Sequence, residues 1–538
     1  MQNNYGKSWR AFFAYFIFFA VIFTLVARLF YIQINEGHFL GSKGSEQLFS
    51  TRIITPLRAG IYDRNNFPLA VSIKQYNLYV LSNFSIKDYT KLASAIPLKM
   101  TYEQAMSSGR KNLLLKNIDF SQYEKIKSLR IDSLEIESFQ KRFYPLGDQI
   151  STLVGFVGKD GIGLEGLERS LDASLVGSPG NETITKNAKQ QVIKRPINNK
   201  EGIPAENVIL TIDSRVQFYS YKHLSSFIEA NKAKAGSIIV LDNHSGEILA
   251  VASYPSYNPN NPNRSIQRNR ALLDAIEPGS IIKPLLLAKA LDLGVVELNE
   301  IIDTTPGNMT LNNKTIADPK NLGKLSYKEV IGKSSQVGAS KLALHIGVEA
   351  INSGYRSFGL AVPPAIYFPG IAYGRINNRD NISDHEIASL GFGYGLKTSP
   401  LQLAQAYSIF ANKGVLKDFK LFLNNEINFE QQIISKETAN KVLDALEYTV
   451  TDGTGSLAKV KGYRVGGKTG TAHNSVGSAG YSKDKYIASF AGIVPLDSNR
   501  LTIFVRIIEP GLNNYSGGVV AAPLFSAIAK DVLNYLDE

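Results

Sequence analysis

The most pronounced hydrophobic pattern lies near the start of the chain. Residues 11–27 carry no charged side chain and are rich in Phe, Ile and Val, and the apolar run continues past Arg28 to residue 34. A helix of 17 residues is about 25 Å long, at the short end of what crosses a bilayer, and the Arg28 side chain could extend its charge to the interface. The pattern predicts one transmembrane helix at residues 11–34.

The charges in front of this run predict its orientation. Residues 1–10 contain Lys7 and Arg10 and no acidic residue, which favours a cytoplasmic tail by the positive-inside rule. A cleaved signal peptide is the alternative. Its apolar region is usually shorter, and no convincing Ala-x-Ala cleavage site follows here, so we expect a retained anchor.

Further along, apolar runs separated by turn residues predict strands. Residues 236–242 and 247–253 flank an Asn-His-Ser-Gly turn, and residues 486–495 and 501–509 form a second such pair. Residues 521–536 have helical apolar spacing. Many helix-like segments lie between the two pairs. The sequence therefore predicts an α/β (α+β) fold in which an antiparallel sheet is flanked by helices, with a cleft between them.

The length of the chain implies more than one domain, since 538 residues are more than usually fold around a single hydrophobic core. We predict a cytoplasmic tail at residues 1–10, the anchor at 11–34, a non-catalytic region at 35–205 and a catalytic domain at 206–538.

Composition excludes several kinds of chemistry. The chain has no cysteine, and its six histidines show no His-x-x-x-His spacing, so we expect no metal site and no cofactor. The net charge of +12 comes from scattered basic residues without a nucleic-acid-binding signature, so no nucleic acid is expected as a partner. Gly161, Gly163 and Gly166 satisfy G-x-G-x-x-G, but no clear strand–helix context surrounds them. A tight structural turn is the favoured interpretation over a dinucleotide site.

The first chemical motif is Ser280-Ile281-Ile282-Lys283, followed by Pro284 and an apolar run. On a helix, residues three apart share a face, so a hydroxyl and an amine would point the same way. Proline is tolerated in the first helical turn, which places Ser280 at the helix N-terminus. Gly294 is a candidate stop signal for this helix.

Two more motifs follow in order. Ser334-Ser335-Gln336 comes first, and Lys468-Thr469-Gly470-Thr471 lies in a strand-like run where a substrate backbone could approach. An S-x-x-K, S-x-N-like, K-T-G order is the pattern of the penicilloyl-serine transferases, which include penicillin-binding proteins and serine β-lactamases.

The whole chain resembles the class B penicillin-binding proteins, and within them the division-specific transpeptidases of Gram-negative bacteria. Besides the three motifs, the matching stretches are residues 28–34, 58–70, 155–168, 210–213, 255–260, 268–271, 393–396, 400–404 and 515–518. The resemblance implies a pedestal (dimerisation-like) domain at 35–205 and a transpeptidase domain at 206–538.

The resemblance also implies the activity. Ser280 would attack the penultimate D-Ala of a stem pentapeptide, with Lys283 as base, Ser334 as proton relay and Lys468 nearby. Thr469 would hold the terminal carboxylate and Gln336 the substrate backbone. The backbone N–H groups of Ser280 and Thr471, the latter next to Gly470, would form the oxyanion hole.

The implied partners are peptidoglycan stem peptides, β-lactams, the inner membrane, an FtsW-like glycosyltransferase and other divisome proteins, at the septum. The alternatives are an elongation-specific class B transpeptidase, a mainly scaffolding division protein, and a β-lactamase or β-lactam sensor. Two positions depart from the family: Ala59, where glycine is usual, and Gln336, where asparagine is usual.

Overall fold

The structure is a computed structural model that describes residues 5–107, 111–186, 192–194, 199–262, 267–377, 379, 381–424, 429–475, 481–511 and 515–537. Its strands are β1 (Phe49–Ile54), β2 (Ile61–Tyr62), β3 (Pro68–Leu81), β4 (Lys111–Ile118), β5 (Leu134–Phe143), β6 (Gly180–Lys186), β7 (Val192–Lys194), β8 (Asn199–Lys200), β9 (Val208–Ile209), β10 (Ala235–Asp242), β11 (Ile248–Tyr254), β12 (Ile301–Asp303), β13 (Asn308–Leu311), β14 (Lys314–Ala317), β15 (Lys324–Ser326), β16 (Arg375–Ile376), β17 (Leu396–Lys397), β18 (Val415–Lys417), β19 (Glu430–Gln432), β20 (Gly466–Ser475), β21 (Tyr481–Val494) and β22 (Leu501–Ile508).

The helices are α1 (Tyr5–Ile34), α2 (Gly37–Leu48), α3 (Ile86–Ala93), α4 (Tyr102–Ala105), α5 (Phe120–Ser128), α6 (Ser151–Val154), α7 (Gly166–Ser170), α8 (Asp172–Leu175), α9 (Ser214–Asn231), α10 (Arg270–Leu273), α11 (Lys283–Asp292), α12 (Tyr327–Gly332), α13 (Gln336–Ser357), α14 (Asp384–Leu390), α15 (Pro400–Ala411), α16 (Lys436–Thr451) and α17 (Gly517–Leu536). Short 3₁₀ turns occur at Gly147–Gln149, Gly279–Ile282 and Ser456–Ala458. Helix α13 is kinked at Gly347, whose backbone is not helical.

The chain packs into two compact units. One comprises residues 1–58 and 176–205, and the other comprises residues 59–175 and 206–538. The first unit holds α1, α2 and a small sheet in which β6 pairs with β1, β7 and β8.

Helix α1 carries the apolar run of the N-terminus. From Trp9 to Ile34 its mean hydropathy is 2.3 and none of the window is buried, so its length and composition suit a membrane span. The predicted apolar helix is confirmed, whereas residues 1–4 of the predicted tail lie outside the described residues. Helix α17 also passes the hydropathy test, but half of it is buried against the sheet, as in the core of a globular domain.

Residues 59–175, together with β9, form a second sheet within the larger unit. Its strand order is β4-β3-β2-β9, with β5 paired to β3, and α3 and α5 close an apolar core over it. A buried ion pair lies beside β5, where Arg142 Nε donates to Glu168 Oε1 at 2.7 Å and Nη1 donates to the Ala59 carbonyl at 2.8 Å.

Gly161 and Gly163 lie in a tight turn, as predicted, and Gly166 begins the short helix α7. Gly161 donates its N–H to the Gly158 carbonyl at 3.0 Å, and Val157 forms a β-bridge with Gly163. Because no nucleotide-type strand–helix unit begins here, the G-x-G-x-x-G pattern is structural.

The turn after β2 joins this part to the catalytic region. Asp63 is fully buried, and its carboxylate accepts hydrogen bonds from the Phe67 N–H at 2.7 Å and from the hydroxyl of Ser214 at 2.6 Å. Arg64 pairs with Glu247 at 2.9 Å. Asp63 and Arg64 therefore fix the turn after β2 to the start of α9 and to Glu247.

The main sheet is five-stranded and antiparallel, in the order β11-β10-β22-β21-β20. Its two predicted strand pairs are confirmed as β10–β11 and β21–β22. One face packs against α9 and α17 in an apolar core that includes Ile503, Val505 and Ile507. The other face meets α10 and α15, and the Gly279–Ile282 turn of the first motif packs against β20, which carries the third motif.

Candidate active site

Ser280 lies in the 3₁₀ turn Gly279–Ile282, and α11 begins only at Lys283, with Pro284 in its first turn. The prediction that Ser280 begins the α-helix is thus corrected by about one turn. Proline has no N–H to give, which suits the first helical positions but leaves the preceding residues to the tighter 3₁₀ turn. Helix α11 ends at Asp292, close to the expected stop at Gly294. Ser280 is half-exposed whereas Lys283 is fully buried.

The buried ammonium of Lys283 contacts the second motif. Its Nζ donates to the Ser334 carbonyl at 2.7 Å and lies 3.3 Å from the Ser334 hydroxyl. Burial lowers the pKa of Lys283 to about 7, and the negative charge of Asp318 acts in the opposite direction. An amine with a pKa near 7 is neutral often enough to accept a proton, which is what a general base requires.

The Ser334-Ser335-Gln336 turn is held by backbone geometry and by Asp318. Ser334 has a left-handed backbone with φ of 59°, and Ser335 caps α13 by accepting the Gly338 N–H at 2.9 Å. The Ser335 hydroxyl donates to Asp318 at 2.6 Å, and the Gln336 N–H donates to the same carboxylate. Sequence reasoning missed Asp318, because nothing in the pattern after β14 indicates that it meets a turn several elements later.

The third motif lies on β20, the edge strand of the main sheet. Lys468 is fully buried, and its Nζ donates to the Thr469 carbonyl at 3.0 Å. Burial lowers the pKa of Lys468 well below its usual value, and the nearby charge of Lys283 lowers it further. The Thr469 hydroxyl shares a hydrogen bond of 2.7 Å with Thr454.

Gly470 permits the close approach of the first and third motifs. A methyl group added there would lie 2.6 Å from Cγ1 of Ile281, so any larger residue would push the Ser280 turn away from the strand. The next residue, Thr471, accepts the N–H of Gly517 at 3.0 Å, which joins β20 to the start of α17.

The predicted residues fall into two groups. Lys283, Ser334 and Lys468 are brought together in one cluster, in which both lysines are fully buried and Ser334 is half-buried, and the Ser280 turn lies against β20 beside it. Gln336 is anchored through its backbone and remains half-exposed, as expected of a residue that reaches a ligand. Within the described part of the chain, no group of three or more His, Asp or Glu side chains could hold a metal ion.

An aromatic stack at the end of β20 was not predicted. His473 lies opposite Tyr486 in the β20–β21 register, and the Tyr486 ring stacks on Tyr515 with centroids 3.5 Å apart. Single aromatic residues in three separate segments carry no sequence signal of their meeting, since the register that joins them is long-range.

Comparison with known proteins agrees with this geometry. A penicillin-binding protein transpeptidase domain matches residues 236–530, and a penicillin-binding protein dimerisation domain matches residues 53–210. The chain is 34% identical to the probable peptidoglycan D,D-transpeptidase PenA of Neisseria gonorrhoeae, over 96% of this chain and 91% of the relative. It is 33% identical to the peptidoglycan D,D-transpeptidase FtsI of Escherichia coli K12, over 95% and 89% respectively.

A solved structure supports the same assignment. Penicillin-binding protein 3 of Mycobacterium tuberculosis, in complex with aztreonam, superposes with a TM-score of 0.70 at 26% identity and covers 90% of this chain and 97% of its own. Three findings lead to the same family: two matching domains in the right order, relatives above 30% identity over about nine tenths of their length, and a site that combines serines with buried lysines. The chain therefore belongs to the class B penicillin-binding proteins, a family of serine-type peptidoglycan D,D-transpeptidases.

Proposed function

We propose that this protein crosslinks peptidoglycan stem peptides during septal cell-wall synthesis through an acyl-enzyme on Ser280. The observation that carries this proposal is the contact of Lys283 with Ser334, in which a buried amine of lowered pKa lies 3.3 Å from a hydroxyl. A free serine hydroxyl is a weak nucleophile near neutral pH. A neutral amine in the same site can accept the proton of the hydroxyl and so make its oxygen a stronger nucleophile.

The first half-reaction consumes the donor peptide. Ser280 Oγ attacks the carbonyl carbon of the penultimate D-Ala, and its proton passes to Lys283. As the C–N bond breaks, the Ser334 hydroxyl relays a proton to the leaving amine, and the terminal D-Ala departs. The carboxylate of the substrate arrives near Lys468, and its negative charge favours the protonated form of this lysine against the effect of burial.

The second half-reaction reverses these roles. The amine of a neighbouring stem peptide attacks the acyl carbon and gives up a proton through Ser334 to Lys283. The new C–N bond forms, the ester bond to Ser280 Oγ breaks, and Lys283 returns a proton to that oxygen. In both halves the N–H groups of Ser280 and Thr471 stabilise the oxyanion, and one such donor is typically worth about 2.7–4 kcal/mol.

Substrate binding uses the free edge of β20. An extended peptide can add to an edge strand through main-chain hydrogen bonds, so the donor stem peptide lies along Gly470 and Thr471. Thr469 holds its terminal carboxylate and Gln336 its backbone amide. β-Lactams occupy the same place and acylate Ser280.

The anchor sets the cellular location. Lys7 and Arg10 keep residues 1–10 in the cytoplasm, α1 crosses the inner membrane once, and the pedestal at 35–205 and the transpeptidase domain at 206–538 lie in the periplasm. An FtsW-like glycosyltransferase and other divisome proteins are the proposed partners, since a crosslinking enzyme needs freshly polymerised strands.

Purified full-length protein tests the reaction directly. With polymerised pentapeptide strands as substrate, the wild type should release D-Ala and form crosslinked dimers, and Ser280→Ala should do neither. A fluorescent fusion tests the septal role: midcell rings support it, whereas signal along the side wall indicates the elongation-specific alternative. Septal recruitment with wild-type division by Ser280→Ala would indicate a scaffold.

A further inference from the structure

A row of residues crosses the main sheet beneath the candidate nucleophile. In the strand register, Gly470 of β20 lies beside Ser489 of β21, then Arg506 of β22, Ser237 of β10 and Ser253 of β11. Residues directly opposite in an antiparallel sheet point to the same face. Because the other four are glycine or serine, Arg506 is the one long side chain in this row.

Arg506 faces the helical half of the domain. Its neighbours Val505 and Ile507 belong to the apolar core against α9 and α17, so alternation along β22 turns Arg506 to the opposite face. Only 4% of Arg506 is exposed. A buried guanidinium needs a partner, because an uncompensated charge in the interior is strongly unfavourable.

That partner is Asp274. Arg506 Nη1 donates to Asp274 Oδ2 at 2.9 Å, and the side chains are 5% and 6% exposed. On the outer side, Arg268 Nη2 lies 2.8 Å from Asp274 Oδ1, with 64% of its side chain exposed. Asp274 is therefore held from the inside by the central strand and from the outside by a surface arginine.

Asp274 begins the segment that leads to Ser280. Along residues 274–280, Ile276 exchanges two backbone hydrogen bonds of 2.8 Å with Thr398, and the Gly279 N–H donates to the Gly393 carbonyl at 3.2 Å. The far end of this segment meets Gly470, where Ile281 leaves no room for a side chain. The start of the segment thus contacts Arg506 on β22, and its end contacts Gly470 on β20. These two residues belong to the same cross-strand row, and their strands are roughly 10 Å apart.

We propose that the Asp274–Arg506 ion pair is a positioning pair for Ser280. It fixes the start of the nucleophile-bearing segment to the central strand, so that the Ser280 turn lies in register with Gly470 and the oxyanion donor on Thr471. The inference rests on the proposed function and deepens it, since neither residue touches the reacting atoms. The buried ion pair to Arg506 on the central strand restrains the start of this segment more tightly than the backbone contacts alone.

The expected effect is on the chemical step. A nucleophile displaced by about 1 Å loses on the order of a hundredfold in rate, whereas substrate binding along β20 is left largely intact. Removing either charge should therefore lower the first-order acylation constant k2 while the dissociation constant of the non-covalent complex stays nearly unchanged. A merely stabilising ion pair would lower Tm and leave k2 of the folded molecules unaltered.

The experiment uses the full chain in detergent micelles and stopped-flow acylation by a fluorescent penicillin, which separates k2 from the dissociation constant. Arg506→Gln and Asp274→Asn should each lower k2 about tenfold to a hundredfold. Arg506→Lys, which keeps the charge, should recover part of the loss. Arg268→Gln, on the exposed side, should change k2 less than threefold.

Arg142→Gln is the matched control, because Arg142 and Glu168 form an equally buried pair away from the three motifs. It should lower Tm but leave k2 as in the wild type. If the single variants fail to fold, the double variant Asp274→Asn/Arg506→Gln removes both charges and leaves none buried without a partner. A k2 within threefold of the Arg142→Gln value in the folded variants overturns the proposal, and a larger fall supports it. Failure of the wild type to be acylated would instead refute the proposed function.

Discussion

The Nζ atom of Lys283 lies 2.7 Å from the carbonyl oxygen of Ser334 and 3.3 Å from its hydroxyl. The first contact holds the amine near the N-terminus of α11. The second places it beside a hydroxyl with which it can exchange a proton. Lys283 and Lys468 are both fully buried. We therefore expect their protonation states to control both the acylation rate and the free energy of unfolding.

The acylation rate should depend on the protonation of Lys283. Since burial lowers its pKa to about 7, the neutral and active form accumulates as the pH rises through that value. We expect the second-order rate constant for penicillin to rise about tenfold per pH unit below neutrality and to level off above it. Stopped-flow acylation between pH 5 and 9 measures this profile, and a flat profile would contradict the role of Lys283 as the base.

The same burial should make stability depend on pH. The folded pKa of Lys283 is lowered to about 7, so between that value and its ordinary pKa the unfolded chain binds more protons and the free energy of unfolding rises with pH. Each such lysine contributes a slope of about 1.4 kcal/mol per pH unit.

Urea unfolding at pH 7.5 and 9 tests this slope. Lys283→Met should reduce the difference in unfolding free energy between the two pH values, since it removes one titrating group. An identical difference in wild type and variant would show that folding does not lower the pKa of Lys283.

Ser280 should be the site of covalent labelling. Its half-exposed position in the 3₁₀ turn leaves the hydroxyl accessible, and Lys283 lies in the next turn. Ser280→Ala should fold, remain in the membrane fraction and bind no fluorescent penicillin. Peptide mass spectrometry of the labelled wild type locates the adduct, and labelling that persists in the variant would refute the assignment.

Gln336 should influence selectivity among β-lactams. Its backbone is anchored to Asp318, so the extra methylene displaces only the side-chain amide. Gln336→Asn should remain active but change the acylation constants unequally among penicillins and cephalosporins, by roughly two- to tenfold, the equivalent of one altered hydrogen bond. Uniform change across all compounds, or none, would exclude Gln336 as the selective contact.

The N-terminal apolar helix should remain on the mature protein. From Trp9 to Ile34 the helix is long and apolar enough to serve as an anchor. Mass analysis of membrane-purified protein should find the segment before residue 28 intact. A mature chain that begins near residue 28 would identify the segment as a signal peptide instead.

Local patterns predicted most of the main sheet beside which the motifs lie. The strands β10, β11 and β22 have continuous apolar runs between turn residues, because both faces of the sheet are covered, and such runs are legible in sequence. The order and spacing of the three motifs likewise predicted that Lys283, Ser334 and Lys468 belong to one site, and the structure places them close together.

The contacts that the sequence did not predict join residues far apart in the chain, and they depend on how the strands are aligned. Asp318 holds a turn that begins 16 residues later, and Arg506 meets Asp274 across more than 200 residues of chain. No local periodicity encodes such pairs, because they follow from how strands align and not from their own sequence. The start of α11 at Lys283 is a short-range example. Pro284 correctly indicated a helix N-terminus, but it did not show that the preceding residues form a 3₁₀ turn.

The position of β20 at the edge of the main sheet has a consequence for the order of events. Because β21 pairs with one side of β20, the strand offers one edge to a ligand, so in the proposed reaction the donor and acceptor peptides cannot both bind along it. After the terminal D-Ala departs, the donor stays on Ser280 as the acyl-enzyme, and the acceptor amine must approach the acyl carbon from elsewhere. Release of D-Ala before the acceptor reacts predicts ping-pong kinetics.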